Sequence, residues 1–224
     1  MKTLISFVLT LVFIVTSVDA KEVNATMVVD NMIQAYGGEE EVKQLNIYEQ
    51  FWFVHNQKND INSTEYRMVM MPDYLRTKRK FPDRVETSVL DKKNGTIMLD
   101  GTIFKAVDSK LAAMKFQMMG LLSPVELKKI VDTLTITEDE EYYLFSITKD
   151  ELQVEYFVSK KSNFLHKVST TITVDDKKVV LSTIFDHYEE FNGVMLANQE
   201  IQLLNDTPFQ VANLQETRFQ NPLR

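Results

Sequence analysis

The chain has 224 residues, of which 44% are apolar and 25% charged, and its formal net charge is −7. This length and composition suit one globular domain with a substantial core, and the acidic balance argues against nucleic-acid binding, which favours basic surfaces. The absence of cysteine excludes a disulfide scaffold, a thiolate metal site and a cysteine nucleophile.

The first twenty residues have the pattern of an export signal. Lys2 supplies a positive charge, Leu4–Val15 is an apolar run too short for a comfortable bilayer span, and Val18-Asp19-Ala20 offers a cleavage site. We therefore expect residues 1–20 to be a signal peptide that is cleaved after Ala20. Residues 21–224 would then form one exported, soluble domain.

Helical patterns follow the predicted signal. Asn24 can begin a helix whose apolar residues recur at helical spacing, and Gly37-Gly38 can end it. Glu39–Leu45 then predicts a short second turn. Its acidic residues lie where they favour the helix dipole.

From Ile47 the apolar period changes from that of a helix to that of a strand. Short strands separated by tight turns, such as Asp100-Gly101, run from 47 to 107 and again from 134 to 219. Because no helical spacers separate them, sequential antiparallel pairing is the economical topology. We predict a mainly β (α+β) fold in which about ten or eleven strands form a single strongly curved antiparallel sheet, a half-open barrel.

The stretch Ser109–Asp132 interrupts the strands with a methionine-rich helical insert. Ser109 can cap a first helix, Gly120 can loosen its end, and Ser123-Pro124 can open a second helix. Methionine adapts to irregular apolar shapes because its side chain is unbranched and flexible. Two interpretations are open: a core helix packed permanently on the sheet, or a lid over a lipid-sized cavity.

Apolar residues at strand or helical spacing predict the wall of such a cavity and its lid. The concave face of the sheet is expected to be the apolar one, because an antiparallel sheet covers its apolar side. The candidate ligand-binding residues are Phe51, Phe53, Tyr66, Met68, Met70, Leu111, Met114, Met118, Leu121, Leu122, Tyr143, Phe145, Ile147, Val154, Tyr156, Val158, Ile201 and Leu203.

The order of these elements resembles that of the outer-membrane lipoprotein-sorting proteins, the LolA/LolB-like superfamily. The matching stretches cover much of the chain after the signal: Val29–Ile47, Arg84–Gly101, Glu151–Lys167 and Asp186–Gln199. The resemblance implies a half-open barrel closed by the N-terminal and central helices, with a cavity for the acyl chains of a lipoprotein or lipid. It also implies a periplasmic carrier that meets membrane-bound donor and acceptor proteins, and we expect a monomer.

The chain departs from that family in two respects. After Asp100-Gly101 the family often has a tryptophan, where Phe104 is the nearest aromatic residue here. The chain has no cysteine for a lipid anchor. An early-strand arginine can tie the lid shut in such carriers, and Arg67, Arg76 and Arg84 are the candidates.

Two other classes of function remain as alternatives. One is a non-transporting periplasmic sensor or binding module that uses the same barrel. The other, less favoured, is an enzyme, since no metal, cofactor or nucleophile motif is present and His187 beside Asp186 is the best acid–base candidate. Because adjacent strand residues point to opposite faces, these two side chains are not expected to cooperate. We expect no catalytic residue, no metal and no cofactor.

Overall fold

The computed structural model describes residues 23–220. The helices are α1 (Ala25–Ala35), α2 (Glu39–Val42), α3 (Asp108–Gly120) and α4 (Pro124–Lys129), with 3₁₀ turns at Lys43–Asn46 and Val131–Thr133. The strands are β1 (Ile47–Asn56), β2 (Ile61–Met70), β3 (Tyr74–Lys80), β4 (Val85–Asp91), β5 (Asn94–Leu99), β6 (Thr102–Lys105), β7 (Thr135–Glu138), β8 (Tyr142–Lys149), β9 (Leu152–Ser159), β10 (Leu165–Val174), β11 (Lys177–Phe191), β12 (Val194–Leu204) and β13 (Thr207–Phe219). The predicted signal peptide and its cleavage site after Ala20 lie outside the described residues.

All thirteen strands form one antiparallel sheet in the order β6-β5-β4-β3-β2-β1-β13-β12-β11-β10-β9-β8-β7. The first and last strands pair in the middle, and the chain runs outward from them as a meander on each side. The sheet stays open because β6 and β7, at its two edges, do not pair with each other in the described part of the chain. This arrangement confirms the predicted fold class. The thirteen strands of the described residues exceed the predicted ten or eleven.

Helix boundaries follow local capping chemistry. The Asn24 side chain accepts hydrogen bonds from the backbone N–H groups of Thr26 and Met27, so α1 begins at the predicted place. Ser123 caps α4 in the same way, with proline at the first helical position. The predicted cap at Ser109 was wrong, because α3 begins one residue earlier and has no side-chain cap. Within residues 23–220, no helix has the length and apolar character needed to cross a bilayer.

The helix α3 lies between two apolar clusters on the concave side of the sheet. Phe116 and Met119 belong to a cluster with α1, α4 and strands β8–β10. Met114 and Met118 belong to a second cluster with α2 and strands β1–β4. Both sides of α3 are therefore buried, and the helix lies across the concave face of the sheet between the two clusters.

Gly37 brings the end of α1 against the turn between β11 and β12. Its φ is +118°, and a Cβ atom there would lie 2.1 Å from the carbonyl oxygen of Gly193. The adjacent carbonyl of Tyr36 accepts a hydrogen bond of 3.0 Å from the N–H of Met195. A residue without a side chain is thus required where the N-terminal helix meets the sheet.

Candidate functional site

A cavity of about 240 Å³ lies beneath α3. One wall comes from strands β2–β5 and the opposite wall from strands β10–β12, and α3 contributes the cover. Met114, Phe116 and Leu121 face it from the helical segment, while Val168 and Phe185 do so from the sheet. The methionine-rich insert therefore covers a real void.

Three of the predicted ligand-binding residues line this cavity: Met114, Leu121 and Leu203. Met118 borders a separate cleft of about 20 Å³, and Leu122 borders both that cleft and another of about 70 Å³. Leu111 is half-buried and packs on the second apolar cluster instead. The predicted lid residues are brought together, but they face more than one space.

The predicted residues of β8 and β9 lie on the concave side and are packed into the core. Phe145, Ile147, Val154, Tyr156 and Val158 are buried in the cluster beneath α1 and α3, with Tyr143 packed partly against it. The hydroxyl of Tyr156 donates a 2.9 Å hydrogen bond to the carbonyl oxygen of Met119 on α3. These residues anchor one side of α3, and none of them lines the 240 Å³ cavity.

The predicted residues of β1 and β2 lie on the outer face of the sheet, so the expectation that they form the cavity wall needs correction. Phe53 and Met70 are 41% and 36% exposed. Their neighbours in the chain, among them Trp52 and Val69, fill the concave side. The outer-face set is Phe51, Phe53, Tyr66, Met68 and Met70.

The error lies in which face of β1 and β2 was expected to point into the concave side of the sheet. Both faces of β1 carry large apolar residues, and the inner face of β2 carries charge, so alternation alone selected the wrong face. Ile201 is placed outward for a related reason, because its neighbour Glu200 lines the cavity and successive side chains alternate. The pairing of β12 with β13 is irregular between Gln202 and Leu203, and Leu203 lines the cavity whereas Ile201 does not.

The inner face of β2 carries a buried ion-pair network that forms a polar part of the cavity wall. Arg67, which is 1% exposed, donates to the two carboxylate oxygens of Glu200 at 2.8 and 3.0 Å. It also donates to Oε1 of Glu65, from Nε at 3.2 Å and from Nη2 at 3.0 Å. The guanidinium lies 4.9 Å from the ring centre of Trp52. Four buried side chains from β1, β2 and β12 are thereby joined.

Arg79 on β3 extends the network toward the cavity. Its Nε donates to Oε2 of Glu65 at 3.0 Å, and Nη2 contacts the same oxygen. Its Nη1 donates to Oε1 of Gln210 at 2.8 Å. The amide nitrogen of Gln210 is buried and has no hydrogen-bond partner among the described residues, although the side chain is only 3% exposed.

The network holds its groups in their charged forms. Burial alone would raise the pKa of Glu65, but Arg79 and Arg67 together outweigh it and hold that pKa below its usual 4.5. Burial likewise opposes the charge on Arg67, whereas Glu200 and Glu65 raise its pKa above the ordinary value. Burial also raises the pKa of the neighbouring Tyr48, which therefore stays neutral.

The family resemblance implied an arginine that ties the lid, and the contacts here differ from that expectation. Arg67 binds carboxylates on strands β2 and β12, and Arg84 pairs with Asp83 and Glu86 beside its own strand. Arg76 points to the outer face of β3, where it is exposed. Among the described contacts none of these arginines reaches α3. The sequence signal for the network was the alternation of Glu65 and Arg67 on one strand face, which the assumption of an apolar interior hid.

His187 lies at an irregular point of β11, with a φ of +52°. Its side chain is largely exposed, and its Nε2 lies 3.9 Å from Oδ2 of Asp186. Neither Asp186 nor His187 lines the cavity, although the preceding Phe185 does.

The fold, a single open antiparallel sheet with α3 on its concave side, is similar to that of several solved structures. One structure with this fold is a LolA superfamily protein from Nitrosomonas europaea, which is 9% identical over 89% of this chain and 94% of that protein, with a TM-score of 0.58. A domain described as an outer membrane lipoprotein-sorting protein, from Vibrio parahaemolyticus, is 10% identical over 89% and 93% of the two chains, with a TM-score of 0.52. A DUF1329 family protein from Desulfovibrio piger is 11% identical over 90% and 95%, with a TM-score of 0.50.

These likenesses are of fold, because the identities are low. No family model and no curated protein matches the sequence.

Proposed function

We propose that this protein is a periplasmic carrier that binds the acyl chains of a lipoprotein or lipid beneath α3, for sorting to the outer membrane. The unfilled 240 Å³ between the helix and the curved sheet is the observation on which the proposal rests. The shared fold with lipoprotein-sorting domains supports it. Export through the signal at residues 1–20 belongs to the same proposal.

The size of the cavity limits what it can hold in this state. At about 30 Å³ for each water-sized group, roughly eight groups fit, which is one short segment of hydrocarbon. Burial of eight CH₂ groups at ~0.8 kcal/mol each contributes ~6 kcal/mol, equivalent to a dissociation constant on the order of tens of micromolar. A longer chain, or several chains, requires α3 to move away from the sheet.

The helix α3 is suited to such movement on its cavity side. Met114 adapts to different apolar shapes, and the helix ends at Gly120 before a short connection to α4. The side toward β8–β10 is anchored through Met119, whose side chain is buried there and whose carbonyl oxygen accepts the hydrogen bond from Tyr156. We expect α3 to pivot about this anchored side and open the cavity toward β3–β5.

Binding is tested with native mass spectrometry after gentle purification and with uptake of an uncharged apolar dye. Ala113 lines the cavity from α3, and Ala113→Leu adds three carbons into it. We expect dye affinity to fall at least tenfold. The matched control is Ala35→Leu, which adds the same group at a half-buried position of α1 that does not line the cavity and should leave affinity within twofold.

A clean unliganded mass together with no dye uptake by the unmodified protein would refute the proposal. Carriage is tested separately, by transfer of a labelled lipid from donor to acceptor vesicles. Binding without transfer would replace the carrier with a non-transporting binding module.

A further inference from the structure

The polar part of the cavity wall presents hydrogen-bond donors in excess of acceptors. Glu65 and Glu200 have both of their oxygens engaged by arginine. A guanidinium carries five N–H donors, and the three donating nitrogens of Arg79 account for three of them, which leaves two. The lone pairs of Glu65 are therefore all used and Glu200 keeps one on each oxygen, whereas Arg79 still has two N–H donors without a partner among the described residues.

Gln210 strengthens this imbalance. Its carbonyl oxygen accepts from Arg79, and its amide nitrogen has no partner although the side chain is 3% exposed. Its cross-strand partner Gln202 and its hydrogen-bond partner Arg79 both line the cavity. Gln210 is not itself a lining residue, so an acceptor atom of a ligand has to enter between Arg79 and Gln202 to reach its amide. A buried amide that lacks a partner is costly, and such an acceptor would remove that cost.

The charge balance points the same way. Arg67 and Arg79 are offset by Glu65 and Glu200, and Glu86 of the lining is engaged by Arg84. Lys110, at the start of α3, lines the cavity and makes no ion pair with any described residue. The charged side chains of the lining sum to zero, three carboxylates and three cations, but the exposed Lys110 is the one without an ion-pair partner in the described part of the chain, so an anionic head group can pair with it.

We propose that the preferred ligand is a single-chain amphiphile whose head group consists of acceptor oxygens, a carboxylate or a phosphate, and that this head group binds beside Arg79 and Gln210. The alkyl chain then runs along Met114, Phe116 and Leu121 beneath α3. This inference rests on the proposed binding of a hydrocarbon chain. It adds that the head group, and not the chain alone, is recognised.

The test compares ligands that share a ten-carbon chain: decanoate, decyl phosphate and decylamine, each displacing the uncharged dye at pH 7.5. We expect decanoate or decyl phosphate to bind at least tenfold more tightly than decylamine, whose protonated head group only donates hydrogen bonds. The anion that binds more tightly, decanoate or decyl phosphate, identifies the preferred head group as a carboxylate or a phosphate. Equal affinity for all three would overturn the head-group site and leave chain binding intact, whereas no binding of any would overturn the proposed function itself.

Two variants locate the site. Gln210→Glu converts the unpartnered donor into an acceptor, so anion affinity should fall at least tenfold while decylamine affinity is kept or rises. Gln153→Glu makes the same change on the exposed surface of β9 and should leave all affinities within twofold. Arg79→Lys keeps the charge but removes the planar fork, and it should lower the preference for anions by about three- to tenfold. Unchanged preference in both Gln210→Glu and Arg79→Lys would overturn the assignment.

Discussion

Replacing Glu200 by glutamine tests whether the buried ion-pair network holds the two halves of the sheet together. Glu200 lies on β12 and is 5% exposed, and its carboxylate receives two hydrogen bonds from Arg67 on β2. Strands β1 and β13 lie between these two strands in the sheet. Glutamine keeps the shape but removes the charge, and it places an amide N–H₂ against a guanidinium N–H.

The magnitude follows from burial. Removal of one partner of a buried pair costs about 3–5 kcal/mol, because the other charge remains without compensation. Glu65 still pairs with Arg67, so we expect the low end, ~3 kcal/mol. For a domain of this size that loss corresponds to a melting temperature lower by about 6–12 °C.

Urea unfolding measures the loss as a shift in midpoint at constant m-value. The matched control is Glu216→Gln, because Glu216 makes the same two-bond contact with Arg218 on the surface, at 2.6 and 3.1 Å. Its loss should stay below about 1 kcal/mol. If Glu200→Gln costs no more than Glu216→Gln, the network does not have the energetic role assigned to it.

Three further outcomes follow from the structure. Because Arg79 and Arg67 hold the pKa of Glu65 below its unfolded value of 4.5, the stability from this group is present above that pH and is lost as the pH falls below it. The free energy of unfolding should therefore decline below about pH 4.5, with a shallower decline in Glu65→Gln, as followed by urea titration across pH. Gly37→Ala should lower the free energy of unfolding by more than ~2 kcal/mol, because its Cβ would lie 2.1 Å from the oxygen of Gly193. The control is Gly101→Ala, where φ is +88° and the space is open, and its loss in the same urea assay should be only ~1 kcal/mol. Tyr156→Phe should lower stability by ~1 kcal/mol in thermal unfolding through loss of one buried hydrogen bond to α3, and a cost near zero would show that this bond does not anchor the helix.

The strands and turns could be predicted from the sequence because their signals are local. Asn24 and Ser123 cap helices where expected, and the sequential strand order follows from short turns without helical spacers. Face assignment on β1 and β2 is a different problem. A shift of one residue exchanges the two faces, and Trp52 and Phe53 are equally apolar candidates for the interior.

The position of the cavity and its lining could not be predicted, because empty volume depends on how elements that are distant in the chain pack together. Phe145 and Tyr156 lie on the expected concave side, but α1 and α3 pack against them and leave no space. The open volume lies instead beside Arg67 and Arg79, whose carboxylate partners lie on β2 and β12.

The two outermost strands of the sheet, β6 and β7, are neighbours in the chain, joined through α3 and α4. Because β6 and β7 are not hydrogen-bonded to each other in the described residues, the two edges of the sheet can move apart without the loss of a main-chain hydrogen bond between strands. The segment that contains α3 and α4 connects these two edges, so its length limits how far they can separate. Lengthening this segment is therefore a way to engineer a wider opening.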